Sequence, residues 1–356
     1  MRLGLVCLAV VGCGGCSSDP GPATPDAGFS DVTLDPSNTA GFQYQTPVFD
    51  VPQGTEVQDC YFTNMPDLNH GQDYWVDHVR IGTNPGSHHM NMFRVKTIVN
   101  LGTPAQGDFV HGVNGQGECF KSGNWGDWPL IANSQISSTT DPYLDWHLPA
   151  GVAYRFSPGE RVMVQTHYVN ASTQVTPYRG KVAVDLYRST LANPVELGTL
   201  FATEQNIRIC QSNPNPTFHG TCAFTSRGVT IAAANGHFHS RGVDFQVFEW
   251  DGTSVTQPPQ TDMFYQSTTW NDPPMKLYQP SDGWAIPQNG GIWWSCEYRW
   301  VAPDPTAGGC TAVNARDPMH GTDCCYTFGP IVETSEHCNV FLYYYPKVDA
   351  GDIACF

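Results

Sequence analysis

Hydrophobic and polar residues alternate with a period of two over many short stretches of this chain, and no long stretch holds the period of an amphipathic helix. Arg161 to Val169 shows the pattern most clearly. Alternation there puts Val162, Val164, Thr166 and Tyr168 on one face, and Met163, Gln165 and His167 on a polar face suited to a site open to solvent. Comparable runs predict strands at Glu56 to Thr63, Tyr74 to Ile81, Met90 to Val99, Gly180 to Arg188 and Leu197 to Phe201. Further on they predict strands at Gly228 to Ala234, Val243 to Trp250, Gly291 to Trp300 and Val340 to Tyr345. Thr103 to Leu148 and Asn271 to Gln288 read as loop, and Ala302 to Thr327 as a long cysteine-bearing excursion. The pattern restarts after Thr190-Leu191-Ala192-Asn193-Pro194, which sets a boundary between two domains, residues 41–190 and 191–356. No internal repeat is visible.

Composition agrees with an all-β chain: 356 residues carry 35 Gly and 28 Pro, and only 14% are charged. A formal net charge of −16 excludes a nucleic-acid surface, which needs clustered Lys and Arg. Thirteen cysteines point to disulfides and an oxidising compartment. The one Cys-x-x-Cys, Cys13 to Cys16, has no partner pair and lies in an export signal, so a zinc knuckle is not expected. That signal consists of Met1-Arg2, the apolar run Leu3 to Val11, and Val10-Val11-Gly12-Cys13, a lipoprotein signal-peptidase box. Residues 1–12 are then the signal peptide and Cys13 the lipidated first residue, with Cys16 as an alternative. Residues 13–40, rich in Gly, Ser, Pro and Asp, form a flexible tether. No other apolar run approaches the roughly 18 residues that span a bilayer. The expected location is the cell envelope, on the periplasmic side or the cell surface, with membrane contact only through the lipid.

The candidate chemistry centres on histidine. In Asn235-Gly236-His237-Phe238-His239-Ser240-Arg241-Gly242, extended backbone points His237 and His239 the same way and Phe238 the other. Such a pair is either a solvated surface feature or a two-imidazole clamp for a borderline transition metal. A second cluster, Ser87-His88-His89-Met90, and single histidines at His167 and His337 in strand-like surroundings favour metal.

These pieces together resemble the copper type II, ascorbate-dependent monooxygenases, the family of peptidylglycine α-hydroxylating monooxygenase and dopamine β-hydroxylase. The resemblance runs in order over nearly all of residues 55 to 356. His88-His89-Met90-Asn91-Met92-Phe93 resembles the family's His-His-Met-x-x-Phe. Leu148-Pro149-Ala150-Gly151-Val152 leads into Gln165-Thr166-His167-Tyr168, like its Gln-x-His-Tyr. His237-Phe238-His239-Ser240-Arg241-Gly242 resembles its His-x-His-x-x-Gly. Glu336-His337-Cys338-Asn339 and the aromatic strand after it are similar to its Glu-Met-Cys-Asn segment.

The resemblance implies two tandem β-sandwich, jelly-roll-like domains, each with a copper site, facing a shared cleft. His88, His89 and His167 would hold an electron-storing copper, with Gln165 on the electron route. His237, His239 and His337 would hold the oxygen-activating copper. The implied activity is hydroxylation of a C–H bond with dioxygen and a one-electron reductant such as ascorbate, on a small-molecule or peptide substrate. Cys60–Cys119, Cys222–Cys355 and Cys296–Cys338 sit where the family has disulfides. Cys210, Cys310, Cys324 and Cys325 are left for two further bridges of open pairing, and Val95 stands where the family has a half-cystine.

Three departures matter. The family's Met ligand is His337 here, a harder donor that favours Cu(II) relatively more, and Met319 is the one nearby thioether that could fold back. Asn235 replaces the Arg that grips a substrate carboxylate, so bidentate carboxylate binding is lost. Phe341 replaces the Tyr that assists it, while Asn339 is kept; these three are the candidate substrate contacts. Two other readings remain: an exported protein that binds or buffers copper without oxygenase activity, and a zinc hydrolase using only the His237, His239 and His337 site.

Overall fold

The computed structural model describes residues 32, 34, 40–96, 107, 109–112, 128–136, 141–170, 178–281, 283–315, 317, 319–349 and 351–356. The signal, Cys13, Cys119 and the expected tether apart from residues 32, 34 and 40 lie outside them. Val32 and Leu34 are buried, so the expected flexible tether is corrected there, because these two apolar side chains pack against the folded chain. The strands are β1 (Phe42–Gln45), β2 (Phe49–Val51), β3 (Thr55–Asn64), β4 (Tyr74–Thr83), β5 (Ser87–Arg94), β6 (Phe109–Val110), β7 (Leu130–Ser134), β8 (Tyr143–His147), β9 (Val152–Phe156), β10 (Arg161–Asn170), β11 (Tyr178–Gly180), β12 (Val182–Arg188) and β13 (Val195–Glu196). They continue as β14 (Gly198–Thr203), β15 (Arg208–Cys210), β16 (Thr217–Ala223), β17 (Val229–His237), β18 (Gly242–Trp250), β19 (Met263–Ser267), β20 (Lys276–Leu277), β21 (Trp284–Ile286), β22 (Gly291–Tyr298), β23 (Cys325–Phe328), β24 (Ser335–Glu336), β25 (Asn339–Tyr345) and β26 (Ile353–Cys355). The chain is all-β; among the described residues its one α-helix is the single turn and a half at Gly309–Asn314, in the cysteine-bearing excursion.

Two sheets build the first half. One runs β1-β12-β4-β9-β13 with β8 also on β4, and the other runs β6-β3-β10-β5-β7. Val79, Ile81, Trp146, Val162, Val164 and Leu186 fill the space between them. In the second half, β20-β17-β25-β14-β26 with β21 on β17 faces β16-β22-β18-β19, and β15-β23-β24 is a small third sheet. Strand β13 pairs in parallel with β9 (Val195 with Val152), so the first half extends past the expected boundary at residue 190. Residues 31–356 form one compact unit.

One sheet of the second half has a core on each side. Alternation along β25 sends Val340, Leu342 and Tyr344 into the second core, while Phe341 and Tyr343 pack into the first. On β17, Ala234 and the following Phe238 face the second core, while Ala233 faces the first. Asn235 and His237 share the face of Ala233 and are therefore aimed at the first half of the chain. Gly242 opens β18 beneath Phe238, where a Cβ would collide with the Phe238 ring. The spacing of His237-x-His239-x-x-Gly242 thus reflects this close approach.

Several expectations are corrected. The loop reading of Thr103 to Leu148 missed β6, β7 and β8. Strand β7 is buried along its whole length, so it lacks the alternation that marks a half-buried strand. Asn271 to Gln288 contains the two short strands β20 and β21. The polar face of β10 does not open to solvent: Met163, Gln165 and His167 are all at most 1% exposed, with Met163 in the first core, Gln165 bonded by Asn91 and His167 packed against His88 and His89.

Four disulfides staple the second half: Cys210–Cys325, Cys222–Cys355, Cys296–Cys338 and Cys310–Cys324. Two are pairs the resemblance implies, and the other two resolve the four cysteines whose pairing was open. Cys60 is also disulfide-bonded, but Cys119 lies outside the described residues. Such a set fits an oxidising, extracytoplasmic environment.

Candidate metal centre

Backbone irregularity brings the first three histidines together. His167 on β10 lies opposite His89 on β5, but the next pair is Tyr168 with Ser87. His88 is therefore the extra residue of a β-bulge, and the bulge turns it to the same side as its neighbour His89. The rings of His88, His89 and His167 lie 4.9–5.2 Å apart, centroid to centroid.

His237 ends β17, and His239 follows in a turn closed by the Gly242 amide on the His239 carbonyl at 3.0 Å. His337 lies just before β25, its carbonyl held by the Tyr298 hydroxyl at 2.5 Å. The disulfide at Cys338 ties that segment to β22. The His337 ring points at its partners: Nδ1 is 3.0 Å from His237 Nε2, and its centroid is 4.4 Å from that of His239.

The two triads do not face each other across a cleft. The His88 ring sits 4.7 Å from His237 and 5.2 Å from His239, and His89 is 5.0 Å from His237. All six imidazoles form one contiguous cluster, none more than 5% exposed. The separate, facing sites that the resemblance implies are here a single closed centre.

Surrounding groups fix several tautomers. His167 Nε2 donates to Glu56 at 3.0 Å, leaving Nδ1 as a lone pair 3.2 Å from His89 Nε2. His237 Nδ1 donates to Gln135 Oε1 at 2.8 Å, and His239 Nδ1 donates to the Ser335 carbonyl at 2.9 Å. In both rings Nε2 is then an acceptor facing the cluster. This is the arrangement by which outer partners orient metal-binding imidazoles. Asn91 Nδ2 spans His89 Nδ1 at 3.3 Å and Gln165 Oε1 at 3.0 Å, which places Gln165 directly against the cluster.

Burial, reinforced by the neighbouring imidazoles, holds His88, His89, His237 and His239 well below the usual imidazole range, and holds His337 down at about 3. These rings are neutral and carry available lone pairs. Both nitrogens of His88 and Nε2 of His239 are buried with no hydrogen-bond partner. A buried acceptor left unpaired is costly, and a bound cation removes that cost. Ligands of a tetrahedral ion at about 2.0–2.1 Å lie about 3.3 Å from one another, close to the 3.0 and 3.2 Å contacts here. The donor set, imidazoles alone, suits copper or zinc.

Residues without an expected role, Glu336 and Arg241 of the quoted motifs among them, brace the cluster. Glu56 accepts from His167 and also from the Val332 and Glu333 amides, at 3.0 and 3.3 Å. Glu336 is fully buried and accepts from the amides of His239 and Arg241 and from Arg241 Nε, at 2.7–2.9 Å. Burial pushes its carboxyl up, while Arg241 and the two amides pull it back. The Glu336–Arg241 pair thereby orders the turn that carries His239 and the segment that carries His337.

The substrate-contact candidates do not line an opening. Asn235 bonds Gln135 and, at 3.3 Å, Asn133, stitching the two halves together. Asn339 is 1% exposed, and the Phe341 ring stacks on Phe201 at 5.3 Å. Met319 is 79% exposed, with its carbonyl held by Arg208 at 2.9 Å, so it is not among the buried imidazoles.

No protein-family model and no curated protein matches the chain. Among solved structures, a major capsid protein of bacteriophage PM2 aligns over 83% of this chain and 99% of its own, at 10% identity and a TM-score of 0.31. The STIV MCP aligns over 85% and 97%, at 8% identity and a TM-score of 0.33. Likeness at that level carries no argument about this chain.

Proposed function

We propose that the six-histidine cluster is a copper centre and that the protein is an exported copper-dependent monooxygenase. The observation that carries this reading is the convergence of six buried imidazoles from both halves of the chain, in which ligand atoms of His88, His89 and His167, and again of His88, His237 and His239, lie within 4.8 Å of one another, with His88 and His239 nitrogens left unpartnered. Copper held by His88, His89 and His167 on one side and His237, His239 and His337 on the other would supply one-electron redox chemistry and oxygen activation for hydroxylating a C–H bond, with ascorbate or a similar reductant. The chain's own residues supply the rest. Glu56, Gln135 and the Ser335 carbonyl orient the imidazoles so that their lone pairs face inward, and Glu336 and Arg241 fix the two segments of the second triad. The rings of Phe341, Trp270 and Phe328, centred 6.5 Å from His237, 5.9 Å from His88 and 4.9 Å from His337, add apolar surroundings. The Cys13 box supports attachment to the envelope by lipid, and the disulfides agree with export.

Closure of the cluster favours a second reading. With every ring at most 5% exposed and Asn235 spent on the seam between halves, a protein that only holds copper fits the same residues. Oxygen consumption by the copper-loaded protein with ascorbate separates the two. Uptake dependent on copper supports the oxygenase; two tightly held coppers with no uptake leave the copper-holding protein. One zinc and no copper after expression would point to the hydrolase instead.

A further inference from the structure

A second histidine cluster lies on the outer face of the first half, on the sheet that does not carry the buried centre. Strands β4 and β8 pair so that His78 lies opposite His147 and Arg80 opposite Asp145. Alternation turns Val79, Ile81, Leu144 and Trp146 into the core and leaves these four outside. Two residues on one strand and two directly across from them form a compact square. His78 Nε2 is 2.6 Å from Asp145 Oδ1, and the His78 and His147 rings are stacked with centroids 3.7 Å apart. Ligand atoms of His78, Asp145 and His147 all fall within 4.8 Å of one another.

We propose that His78, Asp145 and His147 form a separate, solvent-facing site for a first-row divalent transition metal, with copper(II) bound best. Two imidazoles and one carboxylate on a rigid two-stranded platform are a donor set for such ions, and the order of divalent affinities peaks at copper. The Tyr187 ring stacks on the far side of His78 at 4.2 Å, which limits how that imidazole can turn. The ion takes the place of the proton shared by His78 and Asp145. Arg80, whose Nε is 3.9 Å from the other carboxylate oxygen, stays beside the site, and its positive charge keeps the binding of any cation weak. Open access makes this an exchangeable site, unlike the closed cluster. It does not depend on the reading of that cluster.

The test is a copper(II) titration of the full chain by calorimetry and electron paramagnetic resonance, beside His147→Ala and Asp145→Asn. Both substituted side chains are exposed, so the fold is unaffected, which circular dichroism checks. The expected result is a weak copper(II) equivalent, with nitrogen coupling, in the wild type. His147→Ala lowers its affinity at least 100-fold and Asp145→Asn about 10-fold, while tighter equivalents stay as they were. An isotherm unchanged in His147→Ala would overturn the proposal. Failure of the buried copper reading would appear instead as missing tight equivalents.

Discussion

Acid should open the metal-free protein, and the size of the effect follows from the cluster. His88, His89, His237, His239 and His337 are buried and neutral, with proton affinities depressed by burial and by one another. In an unfolded or opened chain each ring titrates near 6.5. The folded values lie below the unfolded one, so the unfolded state binds more protons and stability rises with pH. It is complete above about pH 7.5 and is lost as the pH falls through the unfolded value. Between pH 7.5 and 5.5 each ring that stays neutral in the folded state loses on the order of 1 kcal/mol. Together the five rings lose several kcal/mol, a large share of the whole stability of many domains. About three-quarters of this falls between pH 6.5 and 5.5. Urea unfolding of the metal-free, disulfide-intact protein at pH 7.5, 6.5 and 5.5 measures it directly. A stability that is flat across this range would mean the rings are hydrated in the folded state, and the closed cluster would be wrong.

Glu56→Gln removes the carboxylate behind His167 and should weaken metal binding by about 10–100-fold, read by competition with a chelator. Arg241→Met leaves Glu336 buried without its cation and should cost about 3–5 kcal/mol in urea unfolding, much of it restored by adding Glu336→Gln. Replacing Cys296 and Cys338 together by Ser opens a link with a sequence separation of 42 and should cost about 4 kcal/mol by the same assay. Met319→Leu should leave the X-ray absorption spectrum of the reduced copper protein unchanged; loss of a sulfur scatterer would place that thioether on the metal.

Strands with a partly open face were legible from alternation: β4 and β18 lie close to where the pattern put them. Strands β3 and β12, buried on both faces over most of their length, were legible instead from polar and apolar residues alternating in sequence. Strand β7 was hidden because both its faces are covered. The six histidines stood out in the sequence because few charged residues surround them and their spacings matched a known pattern. Their meeting in one cluster was not legible, because it depends on how β17 and β25 lie against β5 and β10. No local pattern encodes that packing, and the bulge at His88 is likewise set by pairing with β10. Glu56 and Gln135 gave no signal for the same reason. Each is an ordinary polar residue beside or within a strand, and each acquires its role only from a partner more than 100 positions away. The His78 and His147 pair is equally non-local, arising from the register of β4 and β8.

Glu56 sits on the seam, one oxygen shared between the His167 imidazole and the Val332 amide and the other facing Glu333. A movement that parts the halves to admit a guest molecule must pull those two amides off the carboxylate. The anion then needs water at once, so hydration and separation have to proceed together. Glu56 thus works as a latch whose release is coupled to wetting of the neighbouring imidazole, and replacing it should change how often the gap opens as well as how firmly an ion is held.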